Sequence, residues 1–215
     1  MPDLDFRIEG AEILKFAAVP TLLFKLRIEN LEEEQIRSVS LNTQIRLAVT
    51  RRHYDAAEQD RLLELFGEPH RWGETLRSLL WTHNVLQVPP FSESTVVDLP
   101  VTCTYDLEVV SAKYFHALEA GEVPLEFLFS GTVFYAAEGG GLQVDRISWE
   151  KEADFRLPVR LWKEMMEHYF PNSAWLRLHR DAFDRLYDYK LRMGLRTWED
   201  TVEALLRASE QEVER

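Results

Sequence analysis

One cysteine stands in 215 residues. Cys103 alone cannot close an intramolecular disulfide, and it excludes any zinc site built on two or more thiolates. No apolar run reaches the ~20 residues that a helix needs to cross a bilayer. The start, Met1-Pro2-Asp3-Leu4-Asp5, lacks the basic and apolar regions of a secretory signal. These gaps predict a cytoplasmic protein with no membrane partner. Positive charge is also short, with 25 Lys+Arg against 37 Asp+Glu and a net charge of −12. Residues 158–215 hold 10 Lys+Arg and 11 Asp+Glu, so residues 1–157 carry 15 and 26, a net of −11. An acidic surface repels phosphate, which argues against a nucleic-acid partner.

Familiar reaction signatures are missing as well. There is no G-x-S-x-G, and Ser130-Gly131 falls inside an expected central strand rather than on a strand-to-helix elbow. Gly139-Gly140-Gly141 precedes a strand and matches neither G-x-G-x-x-G nor G-K-[ST], so it reads as a hairpin loop. The six histidines form no H-x-x-x-H or H-x-H pair. A metal would need distant strands to bring together residues such as His83, His116 and a glutamate. Cys103 lies on the apolar side of its strand, where a thiol is a small, inert hydrophobe. The acid clusters Glu32-Glu33-Glu34 and Glu150, Glu152, Asp154 read as solvated strand ends. No catalytic residue, metal site or cofactor is expected.

What the chain does have is alternation. Leu22, Phe24, Leu26 and Ile28 fall on one face against Lys25, Arg27 and Glu29; Val39, Leu41, Ile45, Leu47 and Val49 fall opposite Ser40, Asn42, Gln44 and Arg46. A period of two is that of a β-strand with one face buried. Strands are expected over residues 4–16, with a bulge or bend at Gly10, then from Pro20, over 35–50, 97–109, 123–136 and 142–155. The 123–136 strand is apolar on both faces and should be central and covered on both sides. A period-3.6 stretch at 55–66 predicts a helix stopped by Gly67, and 112–118 one or two helical turns. Residues 75–88 fit either period, with a lean towards a strand. Hairpin-scale connections predict a mainly β protein: an antiparallel β-sandwich or open barrel of about seven or eight strands over residues 1–157.

Pro158 opens a helical subdomain, residues 158–215, expected to pack on the sandwich. Val159, Trp162, Met165, Met166 and Tyr169 make the stripe of its first helix. The second carries Phe183, Leu186, Tyr187, Lys190 and Leu191, with Asp181–Arg185 and Asp188–Arg192 in the favourable i,i+4 order. Thr197 and Asp200 form a capping box before Trp198, Val202, Leu205 and Leu206. The residues from about Ser209 should fray.

Two patches combine the residue types of binding hot spots. The first holds Arg71, Trp72 and Arg77, continuing to Trp81 and His83; the second holds Trp175, Arg177, His179 and Arg180. They are the candidate interface, with the competing reading that the rings pack helices onto the sheet while the arginines cover its edge.

Four stretches resemble a family. They are Arg71-Trp72-Gly73-Glu74-Thr75-Leu76-Arg77 with Leu80-Trp81-Thr82-His83, Cys103-Thr104-Tyr105-Asp106, Leu128-Phe129-Ser130-Gly131-Thr132-Val133-Phe134, and Tyr169-Phe170-Pro171-Asn172 with Trp175-Leu176-Arg177-Leu178. Together they resemble an uncharacterised bacterial family of unknown function, whose members occur near [NiFe]-hydrogenase genes. The resemblance implies a cytoplasmic accessory or assembly role and supplies no catalytic residues. The leading expectation is a non-enzymatic protein-interaction module that binds another protein. The alternatives are an enzyme or small-molecule binder with a cleft between sheet and helices, and a chaperone-like holder whose apolar groove lies along 123–136.

Overall fold

The structure, a computed structural model, describes residues 2–213 apart from 108, 137, 138, 140 and 174. Two of the glycines assigned to the hairpin loop, Gly139 and Gly141, are among them; Gly140 lies outside the described residues, as do the last two residues of the tail. In chain order the elements are β1 (Leu4–Ile13), β2 (Thr21–Asn30), β3 (Ile36–Leu47), α1 (Ala56–Arg61), α2 (Leu63–Phe66), α3 (Trp72–Thr75), β4 (Leu79–Val88), β5 (Ser94–Thr102), α4 (Val110–Ala117), β6 (Glu122–Ala136), β7 (Leu142–Arg146), β8 (Glu152–Pro158), α5 (Val159–Tyr169), α6 (Arg180–Arg192) and α7 (Trp198–Val213).

Among the described residues, the eight strands form two antiparallel sheets and no closed barrel. One has the order β1-β2-β5; the other runs β4-β3-β6, with β7 and β8 both on the far side of β6. The alternation makes a sandwich because each sheet has one greasy face to hide. Leu22, Phe24, Leu26 and Ile28 of β2 are fully buried, as are Leu41, Ile45 and Leu47 of β3. The sheets meet where Phe6 stacks on Phe129 at 4.4 Å and Phe24 meets Phe127 edge-on at 5.2 Å. Outside the three-stranded sheet, Lys25 pairs with Glu12 at 2.8 Å and Asp98 at 2.6 Å, and Arg27 pairs with Glu9.

The chain departs from simple alternation wherever a ladder partner ends. The first strand stops at Ile13, not at residue 16, and residues 14–20 form the connection to β2. Alternation continues to Val109, yet β5 stops at Thr102. Its partner β2 begins at Thr21, so after the Cys103 amide bonds to the Pro20 carbonyl at 2.8 Å no edge is left to pair with. The chain turns at Asp106, whose amide bonds to the Thr104 hydroxyl at 3.1 Å. The expected single strand over 142–155 is two strands. Both pair with β6, but residues 147–151 bulge outward opposite only residues 129–131. The bulge keeps both edges attached, through Ile147 N–H to Gly131 O at 3.1 Å and Phe129 N–H to Lys151 O at 2.9 Å. β6 is central in its sheet but not covered on both sides: Leu128 and Phe134, on its outward face, are half-buried, and Ser130 between them is exposed. The register shift at Gly10 confirms the bulge expected there.

Two devices hold the frame. Gly131 has φ +140°, and a Cβ there would fall on the Ser40 carbonyl oxygen of β3. Only glycine lets the two strands pair at that point. The second device is buried charge. The Arg52 side chain, 9% exposed, donates to Glu58 at 2.6 Å and to the carbonyls of Glu122 and Ala120 at 2.8 Å each; Glu58 also accepts from the Glu119 amide at 3.2 Å. Asp55 caps α1 by accepting from the Glu58 amide at 2.8 Å. The pair thus ties α1 to the connection between α4 and β6.

The chain divides into two compact units, Met1–Trp175 and Leu176–Arg215. Helix α5 belongs to the first, because its stripe of Val159, Trp162, Met165 and Met166 is buried in that unit's core. The second unit contains α6 and α7. Gly194, at φ +63°, closes α6. The Thr197–Asp200 capping box is formed reciprocally, at 3.2 and 3.0 Å. Asp181–Arg185 and Asp188–Arg192 lie on shared faces of α6 without closing into ion pairs, in keeping with the small return on exposed charges.

Gly131→Ala is expected to destabilise the protein by about 3 kcal/mol or more, whereas Gly10→Ala, whose added Cβ meets open space, costs less than about 1 kcal/mol. Urea midpoints of the two variants distinguish the cases. By the same measurement Glu58→Ala, which leaves Arg52 buried and uncompensated, costs about 3–5 kcal/mol, and Asp98→Ala on the outer face leaves the midpoint unchanged.

Candidate functional site

The two tryptophans of the first patch are engaged within the fold. The Trp72 indole N–H donates to the Gly67 carbonyl at 2.9 Å, and its ring meets Tyr54 and Phe66 edge-on at 5.4 and 6.1 Å. A register shift between Ile45 and Arg46 on β3 turns Trp81 inward, between Phe24 at 6.2 Å and Phe115 at 5.1 Å. Arg71, Arg77 and His83 remain exposed, His83 on the outward side of β4 opposite Gln44. The fold separates this patch into rings inside and cations outside.

In the second patch the outcome differs. From Trp81 the rings continue outward: Phe115 stacks on Trp162 at 5.4 Å, Trp162 meets Tyr105 at 6.1 Å, Tyr105 stacks on Phe170 at 5.6 Å, and Phe170 meets Trp175 at 5.1 Å. Trp175 ends the run with 59% of its surface exposed, its backbone held by a parallel bridge to Asp106. Arg177, His179 and Arg180 belong to the second unit and are exposed there, with His179 at the N-terminal cap of α6.

The structure adds a residue that composition did not single out. Phe16 is 98% exposed in the connection after β1. That connection is anchored from α5: the Tyr169 hydroxyl donates to the Leu14 carbonyl at 2.7 Å and the Ala17 carbonyl at 3.1 Å, and a His168 ring nitrogen lies 3.3 Å from the Lys15 carbonyl. Tyr169 and Phe170 are neighbours at the end of α5. One holds the Phe16 connection and the other holds Trp175. The candidate site is therefore two exposed rings, Trp175 seated on Phe170 and Phe16 on a connection whose backbone Tyr169 ties down. Trp175 was marked by composition, whereas Phe16 fell at the end of the expected 4–16 strand with nothing to single it out. Trp149, 89% exposed in the 147–151 bulge, is a second ring of that kind.

Along the column, His116 lies 6.4 Å from Tyr105. Burial, with Lys163 and Arg61 nearby, holds its pKa below the ordinary 6.5. Both cations are anchored on Glu119: Arg61 pairs with its carboxylate at 2.8 Å, and Lys163 donates to its carbonyl at 3.2 Å. Burial pushes the Cys103 thiol up to about 12, so it is protonated at neutral pH. Tyr54 and Tyr114 share a buried hydroxyl contact of 2.8 Å, and burial raises both phenols. Among the described residues no group of three or more His, Cys, Asp or Glu is placed to hold a metal. The junction of α4 and α5 with the sheets, where the small-molecule alternative needs a cleft, is filled by Trp81, Phe115 and Trp162. A cleft of about 300 Å³ opens elsewhere, beside the 147–151 bulge, lined by Asp3, Arg146, Ser148, Glu150 and Lys151 among others, with Lys151 paired to Asp3 at 2.6 Å.

A family model, described as a family of unknown function (DUF6084), matches residues 1–214. The chain belongs to that family. No curated protein matches. Among solved structures there is a likeness to Beta-glucosidase from Kluyveromyces marxianus in complex with glucose, at 9% identity and a TM-score of 0.25. It covers 72% of this chain and 15% of that one, so the chain spans about a seventh of that enzyme's length, and no argument rests on it. Among the described residues no helix is long and apolar enough to cross a membrane.

A histidine with a lowered pKa binds its proton more weakly folded than unfolded, so its stabilising contribution is complete above 6.5 and is lost as pH falls below that value. The melting temperature is expected to fall as pH drops below 6.5, and His116→Gln should make that fall shallower. Thermal melts of both proteins across this range check it.

Proposed function

We propose that this chain is a non-enzymatic protein-interaction module with an accessory or assembly role, acting in the cytoplasm. The observation that carries the reading is the exposure of Trp175 on a fixed ring seat and of Phe16 on a connection whose backbone is tied down. An exposed ring on a loose loop loses freedom when it binds. Here the Phe16 connection is already tied by Tyr169, and the Trp175 ring is already seated on Phe170. Rings held in advance give more of their burial to affinity, and large aromatics at the centre of an interface carry most of its energy. The partner is a protein with apolar pockets for the two rings. The exposed cations Arg71, Arg77 and His83 on the first unit, and Arg177, His179 and Arg180 on the second, are each proposed as protein-contacting residues of their own unit. The lone, unreactive thiol Cys103 suits a reducing compartment. The family resemblance supports a bacterial [NiFe]-hydrogenase system as the first place to seek that partner.

The test is quantitative capture from the native host, followed by titration of the captured partner against purified protein. Phe16→Ala and Trp175→Ala are each expected to weaken binding by about 30-fold or more, equivalent to about 2 kcal/mol, with the unfolding free energy unchanged in Phe16→Ala and lowered by about 1 kcal/mol at most in Trp175→Ala, which loses the contact with Phe170. Tyr169→Phe removes the ties to Leu14 and Ala17 but leaves both exposed rings, and should give a smaller loss. Unaltered binding by both alanine variants would falsify the reading.

A further inference from the structure

We propose that the second unit is a self-association device: the apolar face of α6 and α7 docks on the same face of a second copy, with α7 of one chain along α6 of the other. The unit has only 40 residues, and among those described Thr201 alone is buried. Its helices are joined at one end, where Phe183 and Tyr187 meet Trp198 at 5.3 and 6.1 Å and the Lys190 ammonium lies 5.7 Å from the Trp198 ring. Beyond that contact the apolar stripes stand open. Leu191 is 59% exposed, Val202 46%, Leu205 39% and Leu206 55%. A two-helix unit this small cannot bury such a stripe by itself. Together with Phe183, Tyr187 and Trp198, these side chains put roughly 600 Å² of ring and branched surface on view, close to the about 800 Å² that each partner of a standard interface hides.

Charge identifies the occupant. Residues 176–196 hold six Lys+Arg and three Asp+Glu, whereas residues 197–213 hold one Arg and five Asp+Glu. The two halves are opposite in sign, yet among the described residues no ion pair joins α6 to α7; Arg207 pairs only along its own helix, with Glu203 at 3.7 Å. The excess lies mostly at Arg177 and Arg196, which flank α6, since α6 itself holds four Lys+Arg and three Asp; a second copy related by a two-fold axis supplies the missing match twice, the basic 176–196 segment beside an acidic α7 on each side. The product is a four-helix arrangement with the stripes inside and the charges at the rim.

Sedimentation velocity on the full chain tests this. The expected species has twice the 25.2 kDa of one chain. Leu191→Glu with Leu206→Glu should give a monomer whose sandwich unfolds at the same midpoint. Reversing charge in the basic segment alone, Arg185→Glu with Arg192→Glu, should weaken the dimer by about tenfold or more at low salt. Adding Glu199→Arg and Glu203→Arg should restore it. The charge variants alter no apolar side chain, so they decide the matter even where the leucine variants unfold the hairpin. A wild-type chain that stays monomeric at about 100 µM, or a dimer indifferent to both sets of variants, overturns the proposal.

Discussion

A continuous run of ring contacts from Phe6 to Trp175 is the constraint on which the first unit depends. It passes through Phe129, Phe127, Phe24, Trp81, Phe115, Trp162, Tyr105 and Phe170, with no centroid separation above 6.5 Å. Such pairs add about 0.5–1.5 kcal/mol each beyond their buried area. Their directional preference matters as much as their energy: each ring is oriented by the ring before it and orients the one after. The run crosses from one sheet to the other, then through α4 and α5 to the surface. It explains why the chain leaves β5 after Thr102, since the departing segment delivers Tyr105 to the column. The same run fixes Trp175 at its outer end, so the core and the candidate interface are one packing problem.

How much of this was legible in the sequence follows from how local each signal is. Period-two alternation in β2 and β3 depends only on which residues share a face, so the sandwich could be read directly. The Thr197–Asp200 box and the Gly10 bulge are equally local. Alternation fails as a guide where the neighbouring strand runs out, because the residues of 103–109 remain apolar in turn while no edge is left to pair with. The 147–151 bulge is invisible for a related reason: nothing in those residues says that β6 offers only three positions opposite them. Of the candidate site, Trp175 was legible from composition. Phe16 was not, because what anchors its connection is a hydroxyl 155 residues from Leu14.

The charges divide along similar lines. The acid-rich sandwich carries its ion pairs on outer faces, where solvent screens them and their contribution to stability is small. The Arg52–Glu58 pair is different, since both side chains are below 10% exposed and their hydrogen bonds reach from residue 52 and α1 to residues 119–122. A buried pair gives little net energy over an apolar one, but it penalises any arrangement that breaks it. Here it specifies where α1 lies against the α4–β6 connection. The Arg52 Nε, buried without a hydrogen-bond partner, shows that the specification is bought at some cost.

The two units present apolar surface in opposite ways. Phe16 stands clear of a core in which Leu22, Phe24, Leu41 and Phe127 are fully or almost fully buried, and Trp175 touches that core only at its outermost ring, Phe170. Removing Phe16 takes nothing from the core, and removing Trp175 takes only the last ring contact of the run. In the hairpin the exposed residues are the stripe itself. Phe183, Leu191, Val202 and Leu206 are what would hold two helices together if they were covered, so binding and folding are linked there in a way they are not in the sandwich. A partner that occupies the first unit finds a surface already formed, whereas whatever covers the second completes its core. On the proposed reading, recognition falls to the sandwich and assembly to the hairpin.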